Sequence, residues 1–329
     1  EEREGISPER VEMMADMVRE LDLSRPVAQA GHIPPSVDGK NWAALDLMGW
    51  NYGRRYMNYR KQYPDRPIIY SESASTFSTR GYYDPELPTR DTDYSDAYQI
   101  SSYDLNAAAW SDIPDFEFKL METDTYVAGE FVWTGFDYLG EPTPHADHAR
   151  SSYFGIVDLA GFPKDRYWLY RSHWRPDETT VHILPHWNWP GKEGIELPVV
   201  AYSNCESVEL FLNGNSLGRK NIDPDTYLAN WEISHNKGRI MATGYMDDRP
   251  VAEHRIESTG DPVSIRANPV WNKVKANGED ISIIEISIVD WAGNLVPEAD
   301  NNITVDVSGA AELIGIDSGN LFYEGLFSA

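Results

Sequence analysis

The chain has 329 residues and a formal net charge of −25, with 41% hydrophobic and 12% aromatic residues. This length favours two or three domains, and the charge argues against nucleic acids and anionic membrane surfaces as partners. The single cysteine, Cys205, excludes an internal disulfide and a cysteine-rich metal site. No apolar run approaches the roughly 20 residues that a membrane helix needs, so membrane insertion is not expected.

The first 175 residues alternate between helix and strand signals. Ser7 and Pro8 are typical of a helix start, and apolar residues at helical spacing extend that helix to Leu21. A second helix is predicted over 54–63 and a partly helical segment over 105–121. The predicted strands cover 26–30, 45–52, 67–72 and 126–133. Apolar strands that alternate with helices indicate a parallel sheet covered on both faces.

After residue 176 the helical spacing disappears and short strands separated by turn residues follow. Residues 208–217 read as a hairpin with Asn213 and Gly214 in the tight turn. A further all-β segment starts near Asp261 and alternates in period two over 281–289. We therefore expect two tandem β-sandwiches, the second one short of a closing strand or two.

Glu72 ends the apolar strand 67–72 between two serines. An ionised glutamate is rarely buried without a partner, so this strand end either faces water or holds a functional carboxylate. Strict alternation places Glu72 on the same face as Ile68 and Tyr70. The carboxyl edge of a parallel sheet is where catalytic groups collect, although a solvated or helix-capping glutamate is the alternative.

Polar and aromatic residues also end the neighbouring strands. Asn51 and Tyr52 end one strand, while Trp133, together with Phe136, Asp137 and Tyr138, ends another. Aromatic faces bind the apolar side of a sugar ring, polar groups fix its hydroxyls, and a carboxylate attacks or stabilises the anomeric carbon. Each residue type is common in protein cores, but their joint placement predicts a sugar site.

Other candidate residues carry weaker signals. His145 and His148 could be metal ligands, but two histidines three residues apart in a loop favour an ordinary surface loop. Glu130 falls on the opposite strand face from Trp133, which favours a structural carboxylate. No residue pattern in the sequence demands a metal or a cofactor.

Several longer segments resemble the β-galactosidase branch of the family 2 glycoside hydrolases. These segments are GEFVWTGFDYLGEPTP at 129–144, RSSYFGIVDLAGFPKD at 150–165, WNY at 50–52, SES at 71–73 and HILPHWNW at 182–189. The resemblance implies the C-terminal half of a (β/α)8 TIM barrel in residues 1–175. It further implies two immunoglobulin-like β-sandwiches, at 176–260 and 261–329.

The same resemblance implies roles for the candidate residues. Glu72 matches the family's nucleophile, Trp133 its stacking platform, and Asn51, Tyr52 and Asp137 shape the sugar pocket. These enzymes retain anomeric configuration and use a second carboxylate as acid and base. In the family this glutamate follows an asparagine just before a helix like the one over 8–21. No asparagine stands there in this chain, so the acid/base residue is expected outside it, unless Glu1 or Glu2 serves.

The expected partner is an oligosaccharide or glycan. Half of a barrel has open edges, so a second copy of the chain or a further N-terminal portion is expected to complete it. β-Glucuronidase and β-mannosidase share the fold, and Arg54 and Arg55 leave a cationic clamp for a uronate open. A non-catalytic carbohydrate-binding or structural protein is the alternative from another class. The acidic composition, the single cysteine and the resemblance favour a secreted or periplasmic protein.

Overall fold

The computed structural model describes residues 7–32, 40–53, 56–88, 98–325 and 327. Its first 175 residues form α1 (Pro8–Leu21), β1 (Ala28–Gly31), α2 (Lys40–Ala43), β2 (Leu47–Asn51), α3 (Tyr56–Gln62), β3 (Ile68–Ser73), β4 (Thr76–Phe77), β5 (Asn106–Ala107), α4 (Pro114–Thr123), β6 (Val127–Val132) and α5 (Asp165–Trp174). The strands β1, β2, β3 and β6 make a four-stranded parallel sheet, with neighbours in chain order. The predicted parallel sheet is confirmed.

Helix α1 begins where the sequence predicts it. Ser7 is the N-cap residue, its hydroxyl accepting a hydrogen bond from the Arg10 backbone N–H, and Pro8 occupies the first turn. Val11 and Ala15, one helical turn apart, are the buried residues of this helix. They join a core cluster that also contains Trp50, Tyr59 and Ile68. This cluster fixes the helices against one face of the sheet.

The other face of the sheet is open at its outer strands in the described residues. Glu130 of β6 accepts a hydrogen bond from Ser73 and contacts Trp174 of α5, so it points toward the helices. The next residue, Phe131, therefore points the opposite way, and it is 63% exposed. The prediction of cover on both faces is not met in this part of the chain. The structural role predicted for Glu130 agrees with its contacts.

The strands between residues 181 and 257 form two packed sheets, a two-layered β-sandwich. Its strands are β7 (Val181–Leu184), β8 (Glu196–Ser203), β9 (Ser207–Leu212), β10 (Asn215–Asn221), β11 (Leu228–Ser234), β12 (Arg239–Met246) and β13 (Arg249–Glu257). One sheet has the order β10-β9-β12-β13 and the other β11-β8-β7. Side chains from both sheets, including Leu197, Trp231, Leu210 and Ile240, meet in one core. The first predicted sandwich is present, and its immunoglobulin-like assignment stays a prediction.

The hairpin between β9 and β10 follows the expected turn chemistry. Leu212 pairs with Asn215, which leaves Asn213 and Gly214 as the two turn residues. Both have positive φ angles, 52° and 83°. A two-residue turn of this type matches the right-handed twist of the strands and favours Asn-Gly. The predicted hairpin is confirmed.

The sandwich packs against the helices of the first unit. Phe118 of α4 and Leu169 and Tyr170 of α5 share a core cluster with Leu184 of β7 and Val200 of β8. The hydroxyl of Tyr103 donates a hydrogen bond of 2.8 Å to the Pro198 carbonyl within the same junction. The two units therefore share buried surface.

The described residues after 261 contain β14 (Ser264–Pro269) and β15 (Ile284–Val289), which pair in antiparallel fashion. The alternation predicted over 281–289 includes β15. A second complete sandwich is not seen in this part of the described chain, and the domain boundaries stay predictions. No helix among the described residues combines the length and the apolarity required to cross a membrane.

Residues 318–323, which we call the C-terminal strap, return to the first unit. Leu321 is 4% exposed and lies in a core cluster with Phe77, Tyr153 and Phe154. Its carbonyl accepts hydrogen bonds from the backbone N–H groups of residues 150 and 151. Gly319 has a φ of 72°, and a Cβ atom there would lie 2.3 Å from Oδ2 of Asp158. The strap is thus closely fitted to the unit that contains the strand ends.

Candidate active site

Strand β3 contains one extra residue next to Glu72. Against β2, Tyr70 pairs with Trp50, but Glu72 rather than Ser71 pairs with Asn51. Against β6, Tyr70 pairs with Glu130 and Ser73 pairs with Val132, so β3 again has one residue more than its neighbour over this stretch. An extra residue of this kind redirects a side chain and is common next to active sites. Both neighbouring strands therefore place the irregularity at Ser71 and Glu72.

Because of the extra residue, the side chain of Glu72 lies on a different face of the sheet from the predicted one. Tyr70 points toward the helices, where its hydroxyl donates a hydrogen bond to Glu117 of α4. Glu72 instead contacts the side chains of Asn51 and Tyr52 at the end of β2. The prediction that Tyr70 and Glu72 share a face was wrong, because strict alternation does not survive an inserted residue.

Glu72 is a partly buried carboxylate with two neutral hydrogen-bond donors. The Ser71 hydroxyl donates to Oδ1 of Asn51 over 2.7 Å, so the amide nitrogen of Asn51 is free to donate to Glu72. Burial raises the pKa of Glu72 above its ordinary value, and the hydrogen bonds from Tyr52 and Asn51 partly offset that rise. The structure brings the predicted residues Glu72, Asn51 and Tyr52 together.

The Tyr52 hydroxyl is the centre of a small hydrogen-bond network. It accepts a hydrogen bond of 2.8 Å from the Ser75 hydroxyl and has further hydrogen-bond contacts with Glu72 and Trp110. Tyr52 adopts a left-handed backbone conformation with a φ of 51°, which is uncommon for a residue other than glycine. Burial raises the pKa of Tyr52 well above its usual range, so its phenol stays protonated as a donor to Glu72.

Trp133 lies at the end of the adjacent strand, as predicted. Its backbone N–H donates to the carbonyl of Ser73 over 2.8 Å. Its ring packs edge-to-face on Tyr138 at a centroid distance of 5.9 Å. The Tyr138 hydroxyl donates a hydrogen bond to Glu141. Burial is the largest cause of the raised pKa of Tyr138, the contact with Glu141 adds to it, and the charge of Glu72 contributes as well. The rings of Trp133 and Tyr138, which we call the aromatic wall, thus lie near Glu72, as does Glu141.

The carboxylate of Asp137 is buried against Gly155 and Lys164, and this geometry argues against its predicted sugar-binding role. It is 4% exposed, and its carboxylate accepts hydrogen bonds from the Gly155 backbone N–H at 2.7 Å and from Lys164. The Lys164 ammonium, which is also buried, lies 2.7 Å from Oδ2 of Asp137. A buried carboxylate is stable there because it is paired. Asp137 stabilises the loop that follows Trp133.

Several site residues were missed by the sequence reasoning. Trp110 and Glu141 contribute to the site from loops, where no spacing pattern marks them. Ser71 and Ser75 lie close to Glu72 in the sequence, so their hydroxyls could have been predicted to hydrogen-bond the residues around it. His145 and His148 both pack on the Tyr98 ring, which agrees with the loop interpretation. Arg54, Arg55, Glu1 and Glu2 lie outside the described residues.

The arrangement supports nucleophilic or electrostatic chemistry by one carboxylate. Neutral donors hold Glu72 without adding a fixed positive charge, and the adjacent aromatic wall can cover the apolar face of a ring. Among the described residues, no cluster of three or more His, Cys, Asp or Glu side chains could hold a metal ion.

Family models match both β-rich segments of the chain. One, described as "Glycoside hydrolase family 2 C-terminal domain 5", matches residues 265–327. Another, described as "Domain of unknown function (DUF4982)", matches residues 194–252. The first of these agrees with the resemblance predicted from the sequence.

Curated relatives and solved structures match the chain over most of its length. Beta-galactosidase BoGH2A of Bacteroides ovatus is 38% identical over 97% of this chain, which covers 38% of that relative. A putative beta-glucuronidase of Formosa agariphila is 29% identical over 84% of this chain and 30% of its own length. The structure of a beta-glycosidase from Bacteroides vulgatus matches 89% of this chain and 40% of its own, with a TM-score of 0.77 and 32% identity. The predicted family resemblance is confirmed, and the chain spans well under half of each relative.

Proposed function

Since this chain belongs to the family 2 glycoside hydrolases, we propose that it carries the nucleophile of a retaining enzyme that cleaves terminal β-galactosides. The observation that carries the proposal is the placement of Glu72. Its carboxylate lies at the carboxyl end of a parallel strand, is held by Asn51 and Tyr52, and neighbours Trp133. These are the elements that a sugar site with a carboxylate nucleophile requires.

The reaction takes place in two displacements. First, an Oε atom of Glu72 bonds to the anomeric carbon as the bond to the leaving oxygen breaks, and that oxygen departs with the electron pair and takes a proton from a general acid. Water then attacks the anomeric carbon, releases the Glu72 carboxylate and gives its proton to the same group, now acting as base. In the family pattern this acid precedes a helix like α1, and we assign it to none of the described residues.

The Glu72 environment suits this role. A nucleophile must be ionised at working pH, and the donors from Asn51 and Tyr52 counteract the effect of burial on its pKa. Trp133 offers a flat face on the β6 side, and its contact with Tyr138 fixes the ring. We leave Asp137 out of the sugar site because Lys164 and Gly155 occupy its carboxylate.

The proposal is tested by incubating the chain with a 2-fluoro β-galactoside that has a dinitrophenyl leaving group. Such a leaving group needs little acid assistance, so the nucleophile can be observed without a general acid. We expect intact mass to increase by one 2-fluorogalactosyl unit, with the adduct mapped to Glu72. Glu72→Gln should show no adduct. The matched control is Glu130→Gln, which alters a strand glutamate that faces the helices and should keep the adduct.

A folded chain without any adduct would remove the nucleophile assignment for this chain by itself and favour the non-catalytic carbohydrate-binding alternative. A binding protein would tolerate Glu72→Gln, whereas an enzyme would lose nearly all labelling. Since the Formosa agariphila relative is named a putative beta-glucuronidase, the matching 2-fluoro glucuronide and mannoside serve as parallel probes. Faster labelling by either one would move the proposal to that sugar.

We also propose that the four-stranded parallel sheet is part of a (β/α)8 barrel. The four parallel strands follow chain order, as in a (β/α)8 barrel, whereas doubly wound sheets reverse direction. Phe131 is exposed on the open face. We propose that further strands, from a preceding segment or a second copy, cover this face and close the barrel. The immunoglobulin-like assignment of the sandwiches and a secreted or periplasmic location stand as proposals as well.

A further inference from the structure

Trp110 is an exposed aromatic residue close to the proposed nucleophile. It lies in the turn 108–111, which is closed by a hydrogen bond of 2.9 Å from the Ser111 backbone N–H to the Ala108 carbonyl. The side chain is 49% exposed. A tryptophan left half open to solvent forgoes much of the burial that normally stabilises it. Its surroundings therefore matter more than its exposure alone.

The turn is fixed to the strand end that contains Glu72. The Ala108 backbone N–H donates to the Ser75 carbonyl over 2.9 Å. In return, the Ser75 backbone N–H donates to the Ser111 hydroxyl over 2.7 Å. Ser75 lies three residues after Glu72, and its own hydroxyl donates to Tyr52. The position of Trp110 relative to Glu72 is thus determined by short hydrogen bonds on both sides of the turn.

One hydroxyl separates the indole from the nucleophile. The Tyr52 hydroxyl has hydrogen-bond contacts with both the Trp110 side chain and the Glu72 carboxylate. Trp110 therefore approaches Glu72 from the β2 side, past Tyr52. Trp133 approaches from the β6 side, where its backbone bonds to Ser73. The two tryptophans lie on different sides of the same carboxylate.

We propose that Trp110 forms the subsite for the leaving group, where its indole stacks on the sugar ring attached to the galactosyl unit. This inference rests on the proposed function and adds the substrate class, a β-galactosyl oligosaccharide of at least two rings. The galactosyl ring itself must lie directly against Glu72, because Glu72 bonds to its anomeric carbon. A ring one group further away, beyond Tyr52, is the next unit of the substrate, and a flat indole face suits the apolar face of that ring.

The inference is tested by binding, which does not require turnover. The probes are methyl 1-thio-β-galactoside, which has one ring, and the thio-linked β-(1→4) and β-(1→6) galactosyl disaccharides, which have two. We expect the wild-type chain to bind at least one disaccharide about tenfold more tightly than the one-ring probe, the size of a single aromatic contact. Trp110→Ala should lose this preference and keep its affinity for the one-ring probe.

Two further variants separate stacking from a structural role. Trp110→Phe removes the indole N–H but keeps an aromatic face, so it should keep most of the disaccharide preference. If Trp110 merely held Tyr52 in place, Trp110→Phe and Trp110→Ala would weaken all probes alike. The matched control is Trp291→Ala, which should behave as wild type. Trp291 is 84% exposed and lies in the segment after residue 261, which we call the third unit.

The outcomes distinguish this inference from the proposed function. Equal affinity of wild type for one-ring and two-ring probes, or an unchanged preference in Trp110→Ala, overturns the subsite while leaving Glu72 labelling intact. Absence of the Glu72 adduct overturns the nucleophile even if Trp110 shows the expected preference. Labelling of Glu72 together with loss of the preference only in Trp110→Ala supports both.

Discussion

The Ser71 hydroxyl donates a 2.7 Å hydrogen bond to Oδ1 of Asn51, and this bond decides which end of the amide faces Glu72. With Oδ1 occupied, the amide nitrogen is the group that can reach the carboxylate. The relationship exists because the extra residue in β3 places Glu72 opposite Asn51 in the register. A local irregularity in one strand thus sets the hydrogen bonding of the proposed nucleophile.

Removing either donor should move the pH dependence of Glu72 labelling. Burial already raises the pKa of this carboxyl, and Asn51 and Tyr52 lower it. Asn51→Ala or Tyr52→Phe should therefore raise the pKa further, and the pH at which labelling is half-maximal should increase. The measurement is the labelling rate with the 2-fluoro galactoside between pH 4 and pH 8. Asn58→Ala, on the exposed side of α3, is the control, and a midpoint that stays or falls in the two site variants would contradict the prediction.

Lys164→Met should strongly destabilise the first unit. The side chains of Lys164 and Asp137 are each 1% exposed, and their charged atoms lie 2.7 Å apart, so the variant leaves a buried carboxylate without its cation. Loss of one partner from a buried pair costs about 3–5 kcal/mol. Urea unfolding followed by tryptophan fluorescence measures the change. The control, Lys119→Met, removes a lysine from an exposed ion pair with Asp225 and should have little effect. Similar behaviour of the two variants would refute the argument.

Leu321→Ala should weaken both stability and labelling. Leu321 packs in the cluster against which Trp133 and Tyr138 lie, so the truncation opens a cavity beneath the aromatic wall. A buried leucine-to-alanine change costs about 2–5 kcal/mol. We expect a lower urea midpoint and slower labelling of Glu72 under conditions where the chain remains folded. Leu295→Ala, at a position 53% exposed in the third unit, is the matched control. Normal labelling by a destabilised Leu321→Ala chain would separate the strap from the site.

His173 should make the chain less stable in acid. Burial against Phe118, whose ring stacks at 3.9 Å, lowers the pKa of His173 to about 4. Between that value and the usual one near 6.5, the unfolded chain binds a proton that the folded chain does not, so stability falls as the pH decreases through this range. The difference in unfolding free energy between wild type and His173→Gln should therefore shrink from pH 7.5 to pH 5 in urea titrations. A constant difference would show that His173 has the same pKa in the folded and the unfolded chain, which contradicts the prediction.

Strand-end reasoning predicted, from sequence alone, that part of the candidate site lies at one edge of the sheet. Asn51, Tyr52 and Glu72 end neighbouring parallel strands, and the carboxyl ends of such strands meet at one edge. Trp133 was found by the same reasoning. Alternation failed at Glu72 because the inserted residue in β3 depends on both neighbouring strands, and no local residue pattern announces it.

The positions of Asp137 and Trp110 could not be predicted from their distance to a strand end. Asp137 follows β6 closely in sequence, but its partner Lys164 lies 27 residues further on and draws the carboxylate into the interior. Trp110 lies in a turn with no periodic pattern, and it reaches the site only through Ser75 and Ser111. The α/β alternation and the Asn-Gly hairpin were predictable because local propensity and tertiary structure agree there.

The C-terminal strap means that the third unit is not an independent module. Gly319 fits against Asp158 with no room for a side chain, and Leu321 completes a cluster that also supports Trp133. Replacing this unit with one from another protein would therefore remove side chains against which the aromatic wall packs. Engineered hybrids should keep residues 318–323 together with the α/β unit, and substitutions at Leu321 and Phe154 should be chosen as a pair.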